Sequence, residues 1–206
     1  MTSPIRPPAA PPAARSAILA AALALAVSGC VSLGGGKAPP TLFTLNPASA
    51  PAAGQTFIGT AADALIVLDP ETDRALAVQR VAVTVDASNV AYLKNAMWAE
   101  RPARLMRHLL AETLRAKSGR LVFEDSEASA SGRERLAGRL LAMGYDAPTR
   151  AAVVRFEALR EGPGGQIATR RFEASVPVGK ADARAVGPAL NRAANEVAAQ
   201  VADWIG

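Results

Sequence analysis

Residues 89–119 carry the strongest folding signal in the chain, and they read NVAYLKNAMWAERPARLMRHLLAETLRAKSG. We predict a strand over residues 89–97 that pairs with residues 79–85, where apolar and polar side chains alternate. Pro102 suits the first turn of a helix, where its missing N–H needs no partner. The apolar residues that follow at helical spacing are Leu105, Met106, Leu109, Leu110 and Leu114. Gly119 is a typical helix end, so this stretch predicts a sheet covered by an amphipathic helix.

The rest of the chain adds further strands and a second helix. Alternating or compact apolar runs predict strands at residues 41–46, 64–68, 121–124, 134–145, 151–160 and 166–178. Turn signals at 86–88 and 163–165 separate neighbouring strands. A second amphipathic helix is predicted over residues 182–205, with Pro188 as an alternative start. The predicted fold is α/β with α+β character: a single domain in which a mixed, largely antiparallel sheet packs with two main amphipathic helices.

An apolar run near the N-terminus indicates export. Residues 16–27, SAILAAALALAV, are too few to span a bilayer core of about 30 Å. Arg6 and Arg15 precede the run and small residues follow it, which is the order of a secretory signal peptide. The chain's only cysteine, Cys30, comes next, and we interpret VSGC at residues 27–30 as a lipobox. A general cleavage site beside an incidental cysteine is the alternative.

The lipobox interpretation divides the chain into three parts. Residues 1–29 are the predicted lipoprotein signal peptide. Residues 30–40, rich in glycine and proline, are predicted to be a flexible tether whose lipidated Cys30 holds the protein at a membrane. Residues 41–206 form the predicted folded domain.

The charge balance does not indicate a nucleic-acid-binding protein. The 206 residues include 23 Lys and Arg against 18 Asp and Glu, a net charge of +5, and 4% of them are aromatic. Arg6 and Arg15 leave with the signal peptide, so the mature net charge is lower by two. Positive and negative side chains are interspersed and no basic, aromatic face stands out, so we expect no nucleic-acid partner.

The sequence does not favour an enzyme. His108 is the only histidine and falls on the polar face of the first helix, so we predict a solvent-side or boundary residue. Without a free cysteine it cannot complete an ordinary zinc site, and no G-x-S-x-G motif is present. Glu124, Asp125 and Glu127 form an acidic cluster that we interpret as a solvated loop, with paired catalytic carboxylates as the alternative. We therefore predict no catalytic residues, no metal and no cofactor.

Two aromatic residues are candidates for contact with a partner. Trp98 lies between the predicted strand and the first helix, and Tyr92 lies six residues before it. One interpretation of Trp98 is a core residue beneath the helix. The other is a partly exposed ring on a partner-binding or lipid-facing surface, where an aromatic ring with a polar atom is favoured. We take Tyr92, Trp98 and the helix from Arg101 as the candidate contact region.

Several motifs together resemble a known family. The lipobox is followed by LFTLNP at residues 42–47, the strand at 81–85 and YLKNAMWAE at 92–100. LLAETL at residues 109–114 continues the match, and an Ala-rich helix ends the chain. These motifs resemble the ABC-type transport auxiliary lipoprotein family, the PqiC-like lipoproteins, over essentially the whole mature chain. Phe43 departs from the pattern, because tyrosine is usual there.

The resemblance implies a role in lipid transport. Such lipoproteins accompany MCE-type (Mla-type) ABC transporters, which move phospholipid between the inner and outer membranes. The implied partners are an MCE-domain protein, a permease and an ATPase, with the lipoprotein as a non-catalytic docking or scaffold subunit. Val31 follows the lipobox cysteine where aspartate retains many lipoproteins at the inner membrane. The implied location is therefore the periplasmic face of the outer membrane, with inner-membrane anchoring left open.

Two other functions compete with lipid transport. One is an envelope-assembly or structural lipoprotein that works without an ABC transporter. The other is a periplasmic hydrolase that uses the cluster from Glu124 to Glu127, which would require converging carboxylates of perturbed pKa.

Overall fold

The computed structural model describes residues 40–124 and 134–206. The predicted signal peptide, Cys30 and the tether up to residue 39 lie outside these ranges, as do Asp125 and Glu127. The strands are β1 (Thr41–Phe43), β2 (Leu65–Val67), β3 (Glu71–Thr72), β4 (Arg80–Thr84), β5 (Val90–Trp98), β6 (Val122–Glu124), β7 (Glu134–Asp146), β8 (Ala151–Glu161) and β9 (Ile167–Pro177). The helices are α1 (Pro102–Ser118) and α2 (Ala183–Ile205). Short 3₁₀ turns lie at Ala61–Asp63 and Pro163–Gly165.

The long strand β7 organises one nine-stranded mixed sheet. Along one side, β7 pairs antiparallel with β8 over nearly its whole length, and β8 pairs antiparallel with β9. Along its other side three short strands run parallel to it in succession: β2 at residues 134–136, β3 at 139–140 and β4 at 144–146. Beyond β2 lies β6, and beyond β4 lie β5 and then β1. The strands β1 and β9 therefore lie at opposite edges of the sheet.

The two helices begin and end where the sequence indicates. Pro102 is at the start of α1, and Gly119 ends it in the left-handed conformation at φ 66°. In α2 the carboxylate of Asp182 accepts a hydrogen bond from the N–H of Ala185, a capping contact that begins the helix before Pro188. The alternative start at Pro188 was therefore wrong, because Pro188 lies inside the helix.

The core lies between the two helices and one face of the sheet. Buried residues of α1, such as Leu109, and of α2, such as Val197, pack with alternate residues of the central strands, such as Val154 and Phe156. At β4 the backbone approaches so closely that a Cβ on Gly144 would lie 2.3 Å from a carbonyl oxygen. Neither described helix is long and apolar enough to cross a membrane.

The fold class is confirmed: residues 40–124 and 134–206 form one unit in which a mixed sheet packs with two amphipathic helices. Every predicted strand is present, although β1 ends at Phe43 rather than residue 46. The antiparallel pairings involve the long strands, and the parallel ones involve two or three residues each. The sequence analysis did not predict β3.

Candidate partner-binding site

The sheet face opposite the helices carries a cavity of about 440 Å³. It lies between the segment at residues 73–76, the β4–β5 hairpin and the strands β7, β8 and β9. Its polar lining includes Asp73, Thr84, Asp146, Thr149, Arg155, Glu173 and Ser175. Its apolar lining includes Leu76, Ala82, Val90, Leu141, Met143 and Val153. A concave surface with a mostly apolar wall and a few charged groups is typical of a binding site.

Tyr92 lies beside this cavity. It is opposite Ala82 in the β4–β5 ladder, and its hydroxyl donates a 3.4 Å hydrogen bond to the carbonyl of Ala75. Both Ala82 and Ala75 line the cavity. The guanidinium carbon of Arg80 lies 3.9 Å from the centre of the Tyr92 ring, a cation–π contact that holds the ring in place. The half-buried Tyr92 therefore presents a fixed aromatic surface next to the cavity.

An ion pair lies in the wall of the cavity. Arg155 on β8 and Glu173 on β9 are opposite each other and form two hydrogen bonds, of 2.6 and 3.0 Å. The hydrogen bond from Arg155 lowers the pKa of the Glu173 carboxyl, and the same bond raises the pKa of Arg155. Both groups stay charged near neutral pH, so the cavity wall carries an ion pair in a fixed orientation.

Trp98 lies in different surroundings from Tyr92. Its side chain is 1% exposed and packs edge-on against Phe43, with ring centroids 5.7 Å apart. Its Nε1 finds no hydrogen-bond partner among the described residues. Between the two aromatic residues the β4–β5 register shifts, and Asn95 takes a positive φ of 56°. This irregularity in β5 places the two side chains in different environments. Tyr92 is partly exposed at the surface, and Trp98 is buried in the core.

Glu124, the one residue of the acidic cluster within the described ranges, is part of an ion-pair network. Glu124 ends β6, and its carboxylate lies 3.0 Å from Arg107 Nε, 3.0 Å from His108 Nδ1 and 3.7 Å from Arg115 Nη1. Arg107 also lies 2.9 Å from Asp69. His108 is 57% exposed, as a boundary residue should be, whereas the side chains of Arg107 and Arg115 are only 13% and 17% exposed. The network ties α1 to the ends of β2 and β6.

The pKa shift of Glu124 does not suit a general acid. Burial raises the pKa of its carboxyl, but hydrogen bonds from His108 and Arg107 outweigh that effect and leave the pKa below its usual value. A general acid needs the opposite shift, toward neutral pH. Within residues 40–124 and 134–206, no group of three or more His, Cys, Asp or Glu side chains could hold a metal ion.

Replacing Glu124 with glutamine should lower the free energy of unfolding at pH 7 by about 1–3 kcal/mol, because charged hydrogen bonds are lost. Since folding lowers the pKa of Glu124, its contribution is present above the ordinary value of about 4.5 and is lost as pH falls through the folded value. The difference between wild type and Glu124→Gln should therefore shrink below pH 4. Urea unfolding at pH 7 and pH 3.5 measures both differences.

Glu100→Gln is the matched control, because Glu100 is 54% exposed and forms its ion pair with Arg104, four residues along the chain, whose side chain is also exposed. It should change the stability by about 0.5 kcal/mol or less. Equal losses for Glu124→Gln at both pH values would contradict the proposed ionic origin.

Several charged residues of the uncovered sheet face, among them the cavity residues Arg155 and Glu173, were not predicted from the sequence. Arg155 and Glu157 on β8, and Arg171 and Glu173 on β9, recur with period two in strands whose other face is buried. That alternation was a usable signal for a charged, uncovered sheet face. It did not reveal the cavity, because Asp73 and Leu76 reach it from a segment far away in sequence.

Comparison with known proteins identifies relatives by sequence model and by fold. Residues 43–202 match the family model described as the ABC-type transport auxiliary lipoprotein component. The crystal structure of protein XCC0632 from Xanthomonas campestris, of the DUF330 family model, is similar with a TM-score of 0.67 at 18% identity, covering 80% of this chain and 94% of that one. An uncharacterised protein of known structure has a TM-score of 0.62 at 16% identity, covering 81% of this chain and 100% of that one. These two likenesses show a shared fold. No curated protein matches.

Proposed function

This chain belongs to the ABC-type transport auxiliary lipoprotein family, and we propose that it serves an MCE-type ABC transporter that moves phospholipid between the inner and outer membranes. The observation that carries the proposal is the family match, which runs from β1 through most of α2. In this role the protein is a membrane-anchored periplasmic subunit without catalysis of its own. It docks the MCE-domain protein, which works with a permease and an ATPase.

Anchoring is assigned to Cys30. The described domain begins at residue 40, directly before β1, so the proposed tether enters the fold at one edge of the sheet. Fully extended, residues 30–40 span at most about 40 Å. With Val31 permitting export to the outer membrane, the domain would sit on the periplasmic face within that distance of the lipid surface.

Docking is assigned to the uncovered sheet face. The cavity offers an apolar wall and a fixed charge pair, and Tyr92 adds an aromatic surface at its side. Aromatic residues held rigidly beside a pocket are typical of the residues that dominate binding energy. Trp98 contributes by supporting β5 and the start of α1, which carry the rest of the candidate contact region.

A pull-down of the acylated protein from membranes, with partners identified by mass spectrometry, tests this function. We expect an MCE-domain protein with its permease and ATPase. Tyr92→Ala should reduce their recovery, whereas Ile58→Ala, a control at a 93% exposed residue outside the cavity lining, should not. Recovery of outer-membrane or cell-wall proteins alone would overturn the transport role and favour the envelope-assembly lipoprotein.

A further inference from the structure

Strand β9 leaves one long edge of the sheet unpaired. It spans Ile167–Pro177, and within the described part of the chain it pairs with β8 alone. The other edge strands, β1 and β6, have three residues each. Ile167, at the start of β9, is 66% exposed. An edge of this length is a template for pairing with another strand.

The hydrogen-bond pattern shows which backbone groups of β9 point outward. The N–H of Gly162 donates to the carbonyl of Gln166, and the N–H of Val178 donates to the carbonyl of Arg150. In the regular antiparallel ladder between these two bonds, every second residue of β9 bonds to β8. The even-numbered residues of β9 therefore direct their backbone N–H and C=O groups toward β8. The odd-numbered residues therefore direct their N–H and C=O groups to the free edge. Pro177, which has no N–H, occupies one of these outward positions, where proline is tolerated.

The side chains at the outward positions form an alternating row of charges. Arg171 pairs with Glu157 at 2.6 Å, and Glu173 pairs with Arg155 at 2.6 Å, each across the β8–β9 ladder. Phe172, between them, is buried toward α2. When two β9 strands meet antiparallel, two opposite charges two residues apart can each lie opposite the oppositely charged residue of the other copy.

We propose that two copies of this chain associate through β9, antiparallel, about a two-fold axis at Phe172. In this register Arg171 of each copy is opposite Glu173 of the other, and Thr169 is opposite Ser175. The row of charges then runs continuously as Arg155, Glu173, Arg171 of the second copy and Glu157 of the second copy. Each neighbour in the row has the opposite sign, which stabilises cross-strand pairs.

The charges also select this register among those nearby. Moving the axis to residue 171 would place Arg171 opposite its own copy, and moving it to 173 would place Glu173 opposite its own copy. Like charges directly opposite each other destabilise a ladder. With the axis at 172, Ile167 also faces Pro177 of the second copy and loses exposed apolar surface. Because β1 lies at the far edge of the sheet, the pairing leaves the proposed tether free.

Paired cysteines test the register directly. In the full chain carrying Cys30→Ser, which has no other cysteine, the double variant Thr169→Cys/Ser175→Cys should form a disulfide-linked dimer under mild oxidation. Opposite residues in a hydrogen-bonded pair have Cα atoms about 5.5 Å apart, within disulfide range. Each single variant should form no disulfide-linked dimer, because equivalent residues of the two copies lie about 20 Å apart along the strands. Equal cross-linking of a single variant, or none in the double variant, would overturn the proposal.

A proline substitution tests the backbone pairing without cysteines. Ser175→Pro removes an outward N–H but none of the bonds to β8, so the domain should stay folded by circular dichroism. Ser175→Ala keeps that N–H and is the matched control. Light scattering of the Cys30→Ser chain should give a dimer for Ser175→Ala and loss of the dimer for Ser175→Pro. The same mass for both variants, or a monomeric parent chain, would refute pairing through β9.

Discussion

Replacing Trp98 with alanine should lower the free energy of unfolding by about 3–5 kcal/mol, the usual cost of truncating a large buried aromatic residue. Trp98 is 1% exposed and packs against Phe43. The Phe43 ring in turn leaves so little room at α2 that a Cβ on Gly187 would lie 3.0 Å from it. The cavity would therefore open where β1, β5 and α2 meet. Urea unfolding followed by circular dichroism measures the loss.

Trp98→Phe is the control that separates volume from hydrogen bonding. Because Nε1 of Trp98 has no hydrogen-bond partner in the described residues, phenylalanine removes volume without breaking a bond. We expect a loss of about 1–2 kcal/mol, well below that of alanine. Equal losses for the two variants would show that the indole N–H is bonded after all. A Trp98→Ala protein that folds normally and recovers the proposed MCE-domain partner undiminished would remove Trp98 from the candidate contact region.

The elements that could be predicted are those whose signals are local. Helix α1 has its proline, its apolar spacing and its final glycine within residues 102–119. The strands β7, β8 and β9 follow one another across short turns, so their antiparallel order follows from adjacency. The parallel pairings of β2, β3 and β4 with β7 join segments that no turn connects. Nothing in the sequence of β3, only two residues long, signals a strand.

The candidate site was predicted only in part for the same reason. Tyr92 and Trp98 are close in sequence and share the same strand, but the irregularity at Asn95 places one beside the cavity and the other in the core. A regular strand would have put both on one face. Glu124 was placed in a solvated loop, yet it lies at the end of β6 with 12% exposure, because its partners on α1 approach only in the folded chain. Long-range contacts, rather than residue type, determine these environments.

Replacing Cys30 with serine should move the protein out of the membrane fraction, or leave it as an unprocessed precursor. The family consists of lipoproteins, and the thiol of Cys30 is the only one in the chain that can carry a lipid of that kind. Each buried CH₂ of an acyl chain contributes about 0.8 kcal/mol of membrane affinity, and stable anchoring takes more than one chain. Fractionation of cells, with the precursor and mature forms separated by gel, measures the change.

Val31→Asp is the matched control, because it keeps Cys30 and changes only the residue expected to direct sorting. That variant should remain membrane-bound but shift from the outer-membrane to the inner-membrane fraction. A Cys30→Ser protein that still sediments fully processed with membranes would contradict the lipid anchor. It would place membrane attachment in the folded domain. The two variants thus test membrane attachment and the choice of membrane separately, and neither changes the proposed docking surface around Tyr92.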